Sequence, residues 1–224
     1  MPEKERIQIF IDGGNFHHLV LKRLRVEEQN FNFEKFAEFL ANRRVITERG
    51  KRFYVGTVRE RADDERSKTA MSKQTALFTV LKSTRWEIKT SKLRTRTERI
   101  TVDDRVVGYQ ELLKKGVKEI VFERTREKGI DVKLAIDLVV GAADNQYDTA
   151  VVVSSDGDLI PAIDWIRKRQ GKKVEYIGFS IIDQADRRND TKAAQGLITN
   201  SDIHRIFIAS DLQQFITSTP STIE

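Results

Sequence analysis

Short apolar runs recur along this chain, and segments with helical spacing separate them. The runs are rich in β-branched and aromatic residues, which is typical of buried strands. They lie at 7–11, 53–58, 119–122, 150–153 and 174–177. Between the first two runs, apolar residues recur at i, i+3, i+4 and i+7, which indicates one face of a helix. This alternation predicts an α/β fold: a Rossmann-like parallel sheet with these strands in one layer and helices on both faces.

The segment Ser154 to Asp158 lies at the centre of this pattern. It follows the run 150–153, a predicted buried strand, so that Asp156 and Asp158 come just past the strand end. In an open α/β sheet, ligands bind at this edge. Gly157 lets the backbone turn sharply between the two carboxylates before the next predicted helix. The two carboxylates can cap that helix, or they can hold a divalent cation.

The first strand ends in a similar way. Asp12 closes the run 7–11, Gly13 and Gly14 turn the chain, and Asn15 can cap the helix that follows. The loop lacks the G-x-G-x-x-G and Walker patterns of nucleotide-binding loops. Taken alone, Asp12 could equally be a turn residue or a metal ligand. The acids at the end of the strand 150–153 favour the ligand role.

A helix is predicted from Asp131 to Ala143, and it carries two further candidate acids. Asp131 can cap the helix, and Asp137 can pair with Lys133 four residues earlier. The two acids differ by about 240° around the helix, so they need not share a face. We therefore expect Asp131 to be a ligand and keep Asp137 as a lesser candidate.

The region 85–107 is rich in basic residues, and we interpret it as a small basic β insertion that turns at Asp103 and Asp104. From Lys82 to Arg99 there are seven basic residues against two acidic ones. Such a ribbon can lie along a phosphate backbone, or it can be an edge strand that its charges protect from aggregation. Further basic residues follow the strand 119–122, beside the predicted acids. The candidate nucleic-acid contacts are Lys92, Arg94, Arg96, Arg124, Arg126 and Lys128.

The composition is typical of a soluble protein that binds polyanions. The chain has 224 residues, a formal net charge of +6 and no cysteine, so thiolate metal sites and disulfides are excluded. No apolar run is long enough for a membrane span, and no apolar signal region begins the chain. We expect a cytoplasmic protein, and its composition is compatible with self-association or a protein partner. The basic excess favours a polyanion such as RNA.

The predicted organisation is one domain with a C-terminal addition. The catalytic domain spans 1–180 and includes the insertion at about 85–107. An extension at 181–212 is expected to pack on this domain. The last residues, 213–224, are expected to form a disordered tail.

The candidate acids come from three strand-end regions of one sheet edge: Asp12, Asp131, Asp156 and Asp158. Carboxylates that lie close together repel one another, and they need a cation or protons at raised pKa values. Carboxylate oxygens suit Mg²⁺ or Mn²⁺. Such an ion can activate water and stabilise displacement at phosphorus.

Three segments in this order resemble the NYN domains, and in particular the LabA-like members of the PIN-like nuclease group. They are I-F-I-D-G-G-N, E-K-G-I-D-V-K-L-A-I-D-L and Y-D-T-A-V-V-V-S-S-D-G-D-L-I-P-A-I. The resemblance implies a PIN-like fold and ribonuclease chemistry that depends on Mg²⁺ or Mn²⁺. By motif position it implies acidic-site roles for Asp12, Asp131, Asp156 and Asp158, with Asn15 and Ser154 as supports. Asp137 matches a second acid of the middle motif.

Three alternatives stay open. TOPRIM-type phosphotransfer domains also have acids at strand ends, but they usually carry a Glu where this chain has Asp12. HAD-type phosphatases need Asp-x-Asp on the first strand, and here two glycines follow Asp12. A non-catalytic relative could keep the fold and bind RNA or act as a regulator, because fold does not fix function.

Overall fold

The computed structural model describes most of the chain. It covers residues 4–58, 64–92, 94–126, 129–184 and 186–217, and at 92, 94, 125 and 126 it describes the backbone alone. None of the described helices combines the length and apolar character needed to cross a membrane.

A parallel sheet of six strands forms the centre of the molecule. Its strand order is β3-β2-β1-β6-β7-β8, and every neighbouring pair is parallel. The strands of this sheet are β1 (Arg6–Asp12), β2 (Val45–Thr57), β3 (Glu87–Lys92), β6 (Thr149–Val153), β7 (Lys173–Phe179) and β8 (Ile203–Phe207). The strand order reverses between β1 and β6, and α/β folds bind ligands at the carboxyl edge of such a switch point. The predicted fold class is confirmed.

Helices cover both faces of the sheet. Those described are α1 (Gly13–Phe16), α2 (Lys22–Leu24), α3 (Phe33–Ala41), α4 (Glu65–Ser83), α5 (Tyr109–Lys114), α6 (Ile130–Ala143), α7 (Ile160–Gln170), α8 (Gln195–Asn200) and α9 (Ala209–Leu212). A π-helix spans His17–Leu21, and short 3-10 turns lie at Glu28–Asn30, Gly157–Leu159, Arg187–Asn189 and Gln213–Phe215.

The central strands supply two separate cores because successive side chains point to opposite faces. Ile9 and Ile11 pack with α1, α3, α4 and α9, whereas Phe10 packs with α6, α7 and α8. All five residues of β6 are buried. A strand buried on both faces reads as a continuous apolar run, which is why the sequence pattern located this strand.

One predicted strand lies elsewhere. The run 119–122 belongs to β5 (Glu119–Arg126), which pairs antiparallel with β4 (Arg94–Thr101) in a separate two-stranded sheet. Val121 is 50% exposed, and exposure alternates along this strand, which is typical of a half-exposed ribbon. The predicted insertion turns at Asp103 and pairs within 85–107. This prediction is wrong, because β4 pairs with β5, which lies outside that range. The two-stranded sheet, called here the ribbon, extends over 94–126, and β3 belongs to the main sheet.

The C-terminal segment is part of the folded body. β8 forms one edge of the main sheet, and Leu197 of α8 and Leu212 of α9 are buried in the two cores. Phe215 is also buried, and its ring lies 5.2 Å from that of Phe36. The tail predicted at 213–224 is therefore wrong for 213–217, because this apolar side chain packs in the core. Residues 218–224 lie outside the described residues.

Candidate active site at the carboxyl edge of the sheet

The ends of β1 and β6 lie side by side. The two strands are parallel, and Ile11 pairs with Val153 in the register, so the residues that follow them emerge at one edge. There the Ser154 hydroxyl donates to Asp12 Oδ2 at 3.1 Å. Both side chains are buried. Two strand ends separated by 142 residues of chain are thus joined directly.

The turn after β1 fixes the Asp12 carboxylate. Its Oδ1 accepts from the backbone N–H of Asn15 at 2.9 Å and so caps α1. Glycine is required at position 13, because a Cβ there would lie 2.4 Å from the Phe53 ring and 3.0 Å from the Tyr54 carbonyl oxygen. The Asn15 side-chain oxygen accepts from the backbone N–H of Ser155 at 3.0 Å. Asn15 therefore ties the first loop to the loop after β6.

The loop after β6 is held by its own hydrogen bonds. The backbone N–H of Asp156 donates to Ser154 Oγ at 3.1 Å. Asp156 Oδ1 in turn accepts from the backbone N–H of Asp158 at 2.9 Å and caps the 3-10 turn. Asp156 is half-buried and Asp158 is exposed. Ser154 therefore contacts both Asp12 and the loop that carries the other two acids.

α6 brings Asp131 to the same edge. Gly129, with a φ of 83°, precedes the helix in a left-handed conformation that favours glycine, and Asp131 lies in the first turn. Burial raises the pKa of the Asp131 carboxyl, and the charges of Asp156 and Asp158 raise it further. The first turn of α6 therefore lies close enough to the β6 loop for these charges to act on Asp131.

The chemistry of these side chains suits a hard divalent cation. The donors are carboxylate oxygens together with an amide and a hydroxyl, and the like charges around Asp131 would be relieved by a positive ion. In the described parts of the chain, no three His, Asp or Glu side chains converge closely enough to hold a metal ion as they stand. The donor set therefore fits Mg²⁺ or Mn²⁺ in type and charge, and binding would require the carboxylates to turn toward the ion.

Asp137 has different surroundings. Its Oδ2 accepts from the Tyr54 hydroxyl at 2.7 Å, with Arg52 Nη1 at 3.7 Å and Lys89 Nζ at 3.8 Å. Burial and this hydrogen bond raise the pKa of Tyr54, so that its hydroxyl keeps its proton and donates. Lys133, the partner considered from the sequence, instead donates to the Thr90 carbonyl oxygen at 2.5 Å.

Tyr54 and Arg52 were missed by sequence analysis. Both lie on β2. The predicted strand 53–58 includes Tyr54 but begins after Arg52, and nothing in the pattern gives either residue a polar partner. The contact to Asp137 depends on how α6 crosses the sheet. Only the packed structure fixes that crossing.

The ribbon brings basic residues together in pairs. Arg96 pairs with Arg124 across the two strands, and both side chains are exposed. Arg124 Nη1 also lies 3.7 Å from a Glu98 carboxylate oxygen. The backbone register pairs Arg94 with Arg126. Lys92, of which the backbone alone is described, is the last residue of β3, and Lys128 lies outside the described residues.

Comparisons with known proteins agree with this architecture. The chain matches the family model of the NYN domain over residues 6–206. Among curated proteins no significant match was found. A crystal structure of a protein of unknown function from Vibrio parahaemolyticus, VPA0982, has a similar fold. Its TM-score is 0.53 at 18% sequence identity, over 92% of this chain and 95% of that chain.

The family match extends over nearly the whole chain and includes all three acidic segments. It separates the chain from the TOPRIM and HAD-type alternatives. The chain belongs to the NYN domain family, a group of PIN-like nucleases.

Proposed function

We propose that this protein is a ribonuclease that depends on a divalent metal and hydrolyses phosphodiester bonds at the carboxyl edge of the sheet. One observation carries the proposal. Asp131 of α6 is electrostatically coupled to Asp156 and Asp158 of the β6 loop, and the same loop is hydrogen-bonded to Asp12 through Ser154. The end of β1, the β6 loop and the first turn of α6 are thus linked at the edge where α/β folds bind ligands, which supports a common site for their acids.

Each of these residues has a role in the proposal. Mg²⁺ or Mn²⁺ would be held by the four carboxylates, Asp12, Asp131, Asp156 and Asp158. Once bound, the ion would activate a water molecule and stabilise the charge that develops at phosphorus. Ser154 and Asn15 hold the two loops in place, since each hydrogen-bonds across them. Carboxylates without a counterion repel phosphate, so substrate affinity must come from basic residues elsewhere.

The ribbon offers such residues. Like charges directly opposite one another in a ribbon are destabilising, yet Arg96 and Arg124 form such a pair and are exposed, with the Glu98 carboxylate beside Arg124 offsetting part of the repulsion. A phosphate backbone that lies between them would relieve this repulsion and release counterions. We therefore propose the ribbon as the RNA contact, with Lys92, Arg94, Arg126 and Lys128 as further candidates.

The experiment is an RNA cleavage assay with single-stranded and structured RNA, with Mn²⁺, Mg²⁺ or EDTA. We expect cleavage with either metal and none with EDTA. Asp156→Asn keeps the size of the side chain and removes its charge, so it should abolish cleavage. Asp164→Asn is the matched control, because Asp164 pairs with Lys168 on the surface of α7. Full activity of Asp156→Asn in a pure preparation would show that the metal mechanism is wrong.

A second candidate function is RNA binding without cleavage. The observation that favours it is that, among the described residues, no three acidic or imidazole side chains converge closely enough for a metal. It predicts that RNA binds with the same affinity in Mn²⁺ and in EDTA and stays intact in both. The same assay, with a binding titration beside it, therefore distinguishes the two functions.

A further inference from the structure

A cavity of about 340 Å³ lies next to the acidic edge. It is bounded by the first helical segment after β1, the residues Glu27 to Gln29, the end of β2 and α4. Gly14, on its wall, is two residues past Asp12, and Val55 follows Tyr54, the strand partner of Asp12. Strands lie about 4.8 Å apart and rise about 3.3 Å per residue, so the cavity begins within about 10 Å of Asp12. We call it the side cavity.

The walls of the side cavity suit a flat, largely apolar group. Val55, Val58 and Ala70 line it together with the imidazoles of His17 and His18. The two rings lie 5.2 Å apart in an edge-to-face arrangement. Its volume lies at the lower end of the range of small-molecule sites, enough for a single heterocycle. Histidine is among the side chains on which unpaired RNA bases stack.

The polar rim of the side cavity disfavours an anion. Glu27 and Glu28 both line it. The Glu27 carboxylate lies 2.8 Å from Lys73 Nζ, and that of Glu28 lies 2.9 Å from His17 Nδ1. Among the described residues of the rim, Lys73 and His17 are therefore each already balanced by a carboxylate. A phosphate would be repelled, whereas a neutral group that offers N–H donors would find two acceptors.

One wall of the side cavity has an unusual backbone conformation, and the opposite wall is held by hydrogen bonds. His17 begins a π-helical segment, a rare form that is frequent at functional sites. On the opposite wall the Gln74 side chain donates to the Gly56 carbonyl oxygen at 2.8 Å and accepts from the Val58 N–H at 2.9 Å. These bonds hold the end of β2 against α4, so that the wall is already formed without a ligand.

We infer that the side cavity binds one unpaired nucleobase of the RNA, with guanine preferred. The bound base would determine which phosphodiester bond lies at the acidic residues. Guanine fits because its ring N–H and its amino group are adjacent donors that one carboxylate accepts together. This inference rests on the proposed function. His18 is the more exposed of the two imidazoles that line the side cavity, so the base stacks against its ring.

The test is RNA binding in EDTA, where no cleavage occurs. The probes are a labelled uridine oligomer with one central guanosine and the same oligomer with an abasic site there. We expect the wild type to bind the guanosine oligomer at least about fivefold more tightly, because stacking and hydrogen bonds to one base are lost in the other. Ala70→Phe fills the side cavity and should remove this difference. Ala76→Phe, on an exposed position of the same helix, is the matched control.

A second variant protects the test against misfolding. His18→Ala shortens an exposed side chain and should also reduce the preference for guanosine, even if Ala70→Phe does not fold. Equal affinity of the wild type for the two oligomers would overturn the inference, and so would a preference that both folded variants retain.

Cleavage mapping in Mn²⁺ separates this inference from the proposed function. We expect cuts at a fixed position relative to guanosine in the wild type and scattered cuts in Ala70→Phe. Cuts without any base preference would refute the side cavity as a base site and leave the ribonuclease proposal intact. Base-dependent binding without any cleavage would refute catalysis and leave the base site intact.

Discussion

Replacing Asp137 by asparagine distinguishes a structural acid from a metal ligand. Asp137 accepts from the Tyr54 hydroxyl at 2.7 Å and lies within 4 Å of the Arg52 and Lys89 side chains. Tyr54 is fully buried, so its hydroxyl has little access to water as another partner. We therefore expect Asp137→Asn to lower the stability of the fold and to leave the proposed chemistry in place.

The expected size of the loss follows from this contact. A hydrogen bond to a charged group contributes about 1.5–3 kcal/mol. Asparagine keeps an acceptor oxygen and loses the charge that balances Arg52 and Lys89, so we expect a loss of about 1–2 kcal/mol in the free energy of unfolding. For a chain of this size, that corresponds to a decrease in Tm of about 2–8 °C.

The assay is a double-mutant cycle in urea unfolding. The free energy of unfolding is measured for the wild type, Asp137→Asn, Tyr54→Phe and the double variant. Because the two side chains contact each other, the double variant should lose about 1 kcal/mol less than the sum of the single losses. Additive losses would show that the hydrogen bond is not formed in solution. The Mn²⁺-dependent cleavage rate per folded molecule should be nearly normal in Asp137→Asn, and its abolition without a loss of stability would identify Asp137 as a ligand.

Three further predictions concern charged residues. Asp131→Asn should raise Tm in EDTA at neutral pH, because it removes a partly buried charge that neighbouring acids repel; Mn²⁺ should then stabilise the wild type more than the variant. The raised pKa of His17 adds stability below its ordinary value of 6.5 that is lost as the pH rises through the folded-state pKa. Glu28→Gln should therefore destabilise the protein more at about pH 5.5 than at about pH 8.5. The difference in the free energy of unfolding should be under about 1 kcal/mol, because the pair is partly exposed. Unfolding curves at both pH values will measure it. Arg96→Ala with Arg124→Ala should weaken RNA binding and flatten its salt dependence by roughly one unit of slope per lost phosphate contact; identical titrations at two salt concentrations would contradict this.

The sequence identified the central strands because burial on both faces leaves a clear pattern. β6 is buried throughout, and its apolar run has no polar interruption. The run 119–122 of β5 predicts a buried strand because it is short and mostly apolar, but its exposure alternates as in a half-exposed ribbon. β3 was assigned to the insertion because an edge strand carries polar residues whichever sheet it joins. Its register with β2, from Arg52 and Glu87 onward, is a tertiary property.

The candidate site was predictable in its residue types and less so in its contacts. The acids follow strand ends, and the fold brings strand ends to one edge. The bond from Ser154 to Asp12 needs the register of β1 against β6, which no local pattern encodes. The side cavity was not predicted, since its walls come from four separate segments and its histidines, His17 and His18, lack metal-ligand spacing.

The position of α6 explains why stability and activity should separate at Asp137. Asp131 and Asp137 are six residues apart, which corresponds to about 9 Å along the helix and about 240° around it. Asp137 meets the sheet through Tyr54, the strand partner of Asp12, whereas Asp131 lies in the first turn. That turn is held by Ile130, which is buried in the core beside the helix. Because this apolar contact does not involve Asp137, the loss of the polar contact should weaken the fold without moving Asp131 away from the other acids.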